Sequence, residues 1–117
     1  LEEEDPMRPL RTTAFQQRVY DAVSRVPKGR VTTYKVLAES IGCGSSQAVG
    51  QALKRNPFAP KVPCHRVISS TLRLGGYLGH TEGDAVHTKR RLLAEEGVTF
   101  VDNQLVETSR VLYRVSD

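Results

Sequence analysis

The chain has 117 residues, which suits one domain with a modest core of its own. Its formal net charge is +4, but Glu2, Glu3, Glu4 and Asp5 stand together at the start, and the remainder carries 17 basic against 9 acidic side chains. That excess suits a polyanionic partner, nucleic acid first, and no apolar run reaches the roughly 18 residues that a membrane-spanning helix needs.

Residues 1–11 read as a disordered acidic tail, and 12–117 as the domain. The chain starts at Leu1, as a piece trimmed from something longer would, and shows no secretory leader. Thr13 and Gln16 have the spacing of a capping box. Phe15, Val19, Val23 and Val26 then recur at helical spacing, so residues 14–25 are predicted to be an amphipathic helix, stopped by Pro27 and Gly29. Residues 30–32 are expected to be extended.

A second helix is predicted from Thr33 or Tyr34 to Ile41, with Gly42 as its stop. Ser45 or Ser46 can cap a third, over 46–55, with Val49, Ala52 and Leu53 inward. Asn56-Pro57 ends it, since a residue before proline avoids the helical region. Helix, glycine-containing turn, helix is the helix-turn-helix pattern. Pro57, Pro60 and Pro63 make the next stretch a rigid loop. Residues 66–69 and 72–74 look extended, and Gly75, Gly76 and Gly79 form a flexible loop around Tyr77. Asp84 is the expected cap of a last helix over 85–96, with Leu92 and Leu93 apolar and Gly97 as the stop. Residues 98–101 and 105–106, joined by Asp102-Asn103, read as a hairpin. A terminal strand is expected over 111–115. The fold class is α+β, mainly helical, with a winged-helix-like centre and a small C-terminal hairpin.

The sharpest chemical feature is Pro63-Cys64-His65-Arg66-Val67. A thiol is a strong nucleophile only as thiolate, and an imidazole can take its proton directly or through one water. Arg66 can support the thiolate or serve as a structural ion-pair partner. Chemistry alone also allows a buried structural cysteine beside a surface histidine. Two cysteines, Cys43 and Cys64, are too few for a disulfide scaffold and suit a reducing, intracellular compartment, nucleus or nucleoid and cytoplasm. His80, Glu82, Asp84 and His87 are spaced as ligands could be, but a solvated loop accounts for them better, and no metal is expected.

This motif resembles the active-site signature of the O6-alkylguanine-DNA alkyltransferases, the methylated-DNA–protein-cysteine methyltransferases. Gly29-Arg30-Val31-Thr32-Thr33-Tyr34, Ala48-Val49-Gly50, Asn56-Pro57, Gly76-Tyr77 and Leu92-Leu93-Ala94-Glu95-Glu96-Gly97 resemble further family motifs in the same order, over residues 13–97. The resemblance implies a winged-helix-like DNA-binding and active-site domain. It implies repair by single-turnover transfer of an alkyl group from O6-alkylguanine in double-stranded DNA, after the nucleotide is flipped. No cofactor is implied, and the protein is expected to act as a monomer, alone or cooperatively along DNA.

Roles follow by position. Cys64 is the alkyl acceptor, His65 its base through a water, Glu96 the orienter of His65, Asn56 the hinge and Tyr34 the proton donor to the leaving guanine. Tyr77, Val62, Pro63, Gly79 and Lys89 belong to the pocket. Gln47, Ala48, Gly50, Gln51, Arg55, Thr33 and Arg66 are the expected DNA contacts. A non-catalytic alkyltransferase-like protein, which binds the lesion and signals to another pathway, is the alternative, although that group usually replaces the cysteine. Three departures stand out. Gln47 replaces the usual arginine wedge, Gln51 replaces a small residue, and the stretch from Tyr77 to Lys89 is about five residues longer. The resemblance does not extend to the family's variable N-terminal domain or to any zinc associated with it.

Overall fold

The computed structural model describes residues 12–115, so the acidic tail lies outside the described residues. The order is α1 (Ala14–Val23), β1 (Thr32–Thr33), α2 (Tyr34–Ser40), α3 (Ser46–Lys54), a 3-10 turn (Cys64–Arg66), β2 (Val67–Ile68), α4 (Asp84–Glu95), β3 (Phe100–Val101), β4 (Gln104–Leu105) and a second 3-10 turn (Thr108–Arg110). Hydroxyls start the first three helices: Thr13 accepts from Gln16 N–H in a full capping box, Thr33 from Val36 N–H and Ser45 from Ala48 N–H. Each such cap stabilises its helix by about 1 kcal/mol. The fourth start differs from expectation. Gly83, at φ 89°, holds the cap position without a side-chain bond, and Asp84 is the first helical residue, where its charge meets the helix dipole.

α1, α2 and α3 pack on one another around Val19, Val23, Leu37, Val49 and Leu53. The Tyr20 hydroxyl ties α1 to α3 by donating to the Ala52 carbonyl at 2.7 Å. A second apolar cluster joins Val31, Ile68, Leu74, Leu93, Val98, Phe100, Leu105 and Val111. β2 lies between the two. Its alternating faces put Val67 in the first cluster and Ile68 in the second.

β1 and β2 are parallel, with Thr32 opposite Val67 and Thr33 opposite Ile68. β3 and β4 form the expected hairpin, with Asp102 and Asn103 both at positive φ, as a two-residue turn of this hand requires. Three other expectations need correction. Arg66 lies in the 3-10 turn and not in a strand. Leu72 has φ 66°, and Arg73 makes only one isolated bridge, to Gln104, because the chain turns there to meet the hairpin. The terminal strand reduces to a single parallel bridge from Val31 to Val111.

Candidate active site

One amide spans the proline loop. Asn56 Nδ2 donates to the Val62 carbonyl at 2.9 Å, and its Oδ1 accepts Phe58 N–H at 2.9 Å. The loop returns with Cys64 N–H on the Val62 carbonyl at 2.8 Å. Cys64 is thereby set at the start of the 3-10 turn, 5% exposed. It lines a cleft of about 190 Å³ with Tyr34 of α2, Gly50, Leu53 and Lys54 of α3, and residues 76–81.

Burial pushes the Cys64 thiol above its ordinary range, against the opposing pull of the Asn56 hydrogen bond, the Lys89 charge and the Tyr77 hydrogen bond. Burial, reinforced by Cys64, raises Tyr34 and Tyr77 to about 12. Both phenols therefore keep their protons. Lys89 is fully buried, and its Nζ donates to the carbonyls of Val67 and Gly76, each at 2.8 Å. It pins β2 to the loop that walls the cleft. Burial lowers Lys89 to about 7, while Cys64 pulls the other way. At Gly76 an added Cβ would stand 2.7 Å from the His80 carbonyl oxygen, so only glycine fits this turn.

His65 faces a different set of partners. Its Nε2 lies 3.1 Å from Glu96 Oε2. Burial pulls the imidazole below its ordinary range, although Glu96 opposes this. Burial alone would raise the Glu96 carboxyl, but the bonds from Arg66 and His65 outweigh it and hold the group low. Glu96 is thus a carboxylate, Nε2 carries the proton, and Nδ1 is left as the acceptor nitrogen of a neutral ring. Nδ1 is buried without a protein hydrogen-bond partner.

Two expected DNA contacts are used otherwise. Arg66 Nε and Nη2 grip both oxygens of Glu96, at 3.0 and 2.8 Å, and Nη1 donates to the Val26 carbonyl at 2.8 Å. It is the structural ion-pair partner. Thr33 is 3% exposed, and its hydroxyl is consumed by the α2 cap. The other expected contacts divide by helix face. Gln47 and Gly50 border a groove of about 300 Å³ with Tyr34, Lys35, Ser46, Ser69 and Ser70. Ala48, Gln51 and Arg55 border a depression with Thr13, Phe15 and Gln16 of the α1 start. Tyr77 and Gly79 border the cleft, whereas Val62, Pro63 and Lys89 are not among the residues that line it; Val62 meets Cys64 through its carbonyl, which accepts Cys64 N–H. The sequence reading missed Leu53, Lys54, Leu78, His80 and Thr81. Leu53 and Lys54 follow Gly50 by one helical turn, a spacing that could have placed them there. Among the described residues, no three His, Cys, Asp or Glu side chains gather as a metal site would need.

The fold and site together define a winged-helix-like domain with a buried thiol beside a histidine–carboxylate couple. The family model described as the DNA-binding domain of 6-O-methylguanine DNA methyltransferase matches residues 14–98, and the chain belongs to that family. A methylated-DNA–protein-cysteine methyltransferase of Methanothermobacter thermautotrophicus is 46% identical over 87 residues, covering 74% of this chain and 46% of the relative. One from Archaeoglobus fulgidus is 42% identical over 90 residues, covering 76% of this chain and 60% of the relative. The chain thus spans about half the length of these relatives. The crystal structure of Mycobacterium tuberculosis O6-methylguanine methyltransferase superposes with a TM-score of 0.65 at 44% identity, over 74% of this chain and 50% of that one. S. pombe Atl1, in complex with damaged DNA containing O6-carboxymethylguanine, gives 0.62 at 35% identity, over 75% and 80%.

Proposed function

We propose that the chain repairs double-stranded DNA by moving the alkyl group of O6-alkylguanine to Cys64, once and irreversibly. This is the reaction of a methylated-DNA–protein-cysteine S-methyltransferase. The observation that carries the reading is the paired wiring of two adjacent residues. Cys64 lies in a cleft bordered by α2 and α3, while the neighbouring His65 has one nitrogen fixed on Glu96 and the other left to accept.

The target nucleotide leaves the stack and enters the cleft, at a cost of a few kcal/mol in lost stacking and pairing. The exposed Gln47 end of α3, with Ala48, Gly50, Gln51 and Arg55, faces the duplex. Cys64 passes its proton through one water to His65 Nδ1. Glu96 stabilises the imidazolium so formed. Sulfur attacks the alkyl carbon as the bond to O6 breaks, and the bonding pair stays on guanine. Tyr34, protonated up to about pH 12, gives a proton to the departing base, and the proton held on His65 restores the balance. The thioether is inert to the groups around Cys64, so each molecule acts once. One chain supplies every group named, which fits action as a monomer.

The likeness to Atl1 keeps a second reading in view, binding of the lesion without transfer. Retained Cys64 sets the chain apart from that group. Mass spectrometry after mixing with duplex DNA containing O6-methylguanine decides between them. A gain of one methyl on Cys64 is expected. Tight lesion binding with no gain in mass would overturn the proposal.

A further inference from the structure

The chain continues past residue 98, where the family match ends, and returns toward the histidine couple. After the turn Thr108–Arg110 it runs beside β1. Val31 N–H donates to the Arg110 carbonyl at 3.0 Å, and Leu112 N–H to the Val31 carbonyl at 2.7 Å. Arg30 fastens the same segment by donating to the Ser109 carbonyl at 2.8 Å. The Arg110 side chain then reaches across. Its Nη1 donates to the Gly29 carbonyl at 3.1 Å, and its Nε to Glu107 at 3.2 Å.

The guanidinium lies against two bare turns. A Cβ on Gly29 would stand 3.3 Å from Arg110 Nη1 and 3.4 Å from the Glu96 carbonyl oxygen. One on Gly97 would stand 3.6 Å from Arg110 Nη2. Both glycines have positive φ, 87° and 86°. α4 has no basic residue in its last turn, although the carbonyls there favour a cation. The Arg110 guanidinium, from elsewhere in the chain, stands beside Gly97 just past that end, with its own hydrogen bonds going to Gly29 and Glu107. The residue at this helix end is Glu96, the carboxylate that holds His65. The Gly29 turn follows Val26, whose carbonyl takes Arg66, and Arg66 grips the same carboxylate.

We propose that Arg110 is a positioning residue for the His65–Glu96 couple. It holds the end of α4 against the Gly29 turn and so sets where the carboxylate meets the imidazole. It touches no substrate. The proposal rests on reading His65 as the base of the reaction.

The test is Cys64 alkylation by iodoacetamide as a function of pH, in a Cys43→Ser background, with thermal melting alongside. Arg110→Ala, Arg110→Lys and Arg30→Ala are compared in the full chain. Arg110→Ala should slow the thiol several-fold near neutral pH. The deficit should close at alkaline pH, where the thiolate forms without help from His65. Arg110→Lys should recover part of the rate, since it restores the charge but not the fork. Arg30→Ala should lower the melting temperature without moving the pH profile. Added to Glu96→Gln, Arg110→Ala should cause no further loss. The same fractional loss at every pH, or full additivity with Glu96→Gln, would overturn the proposal. Should the alanine variant not fold, an Arg110→Lys profile identical to the parent's would do the same. The iodoacetamide assay needs no DNA, so failure of transfer from alkylated DNA would reject the repair reading without touching this result.

Discussion

Cys64 and His65 are neighbours in the chain, yet they answer to the two different cores. The helical core holds Cys64 along with Val49, Leu53 and Tyr77. His65 is tied through Glu96 to the end of α4, where Leu93 and Val98 belong to the other core. The turn of backbone between them is a 3-10 helix, in which successive side chains point about 120° apart. The difference teaches how a thiol and an imidazole can be kept apart electrically while adjacent covalently. On the thiol's side burial favours the neutral form, and on the imidazole's side it does so too. The resting pair is neutral, and charge separates only when a proton moves.

Removing the thiol tests the division most severely. Cys64→Ser should abolish alkyl transfer, while gel-shift affinity for alkylated duplex stays near that of the parent. Loss of both in a folded variant would mean that the two halves do not separate binding from chemistry.

Glu96→Gln breaks the other half. Transfer should slow on the order of 10²-fold, the usual scale of one general-base contribution. Burst-free single-turnover kinetics would measure it. The amide cannot hold the imidazolium as a carboxylate does. It also removes the partner of Arg66, so melting temperature must be followed beside rate. An unchanged rate would reduce Glu96 to a helix-end charge.

Lys89 sits at the boundary, and its effect is on stability. Its folded pKa of about 7 lies below the ordinary lysine value of 10.5. Between these values the unfolded chain binds more protons than the folded one, so stability should rise with pH across the window from about 7 to 10.5. Lys89→Met should flatten that rise in urea titrations taken at successive pH values. Parallel slopes for variant and parent would show that Lys89 does not titrate as its burial dictates.

The smallest effect expected is at Gln47, on the exposed face of the helical half. Gln47→Arg should raise the transfer rate on duplex DNA by at most about tenfold, or ~1.4 kcal/mol, by easing extrusion of the nucleotide. Single-stranded substrate should gain less. Equal gains on both would assign the change to phosphate attraction alone.

Most of the helical half was legible in the sequence. Apolar spacing, the hydroxyl caps at Thr13 and Ser45 and the stops at Gly42 and Asn56-Pro57 all act locally, so they can be read locally. The second half was harder. Arg66 carries no sign in the sequence of whether it faces DNA or a carboxylate 30 residues on. Thr33 could not be known to spend its hydroxyl on a cap until α2 was seen to start at Tyr34. Lys89 sits on a helix of mostly polar residues and gives no hint that it is fully buried. The cleft wall formed by residues 78–81 depends on the bridge between Tyr77 and His80, a pairing that glycine content suggests but does not specify.

β1 ends at Thr33 and α2 begins at Tyr34, with no residue between. Thr33 alone, at φ −111° and ψ 161°, sets the angle between strand and helix. The joint has no slack. A push on the helix pair is delivered to β1, and through its pairing to β2 and the turn that holds Cys64. Length changes should therefore be distributed unequally along the chain. An added residue near Gly83, whose Cβ position meets no atom within 4 Å, has open space to occupy. One added between Thr33 and Tyr34 would rotate the whole helix pair relative to the turn that holds Cys64.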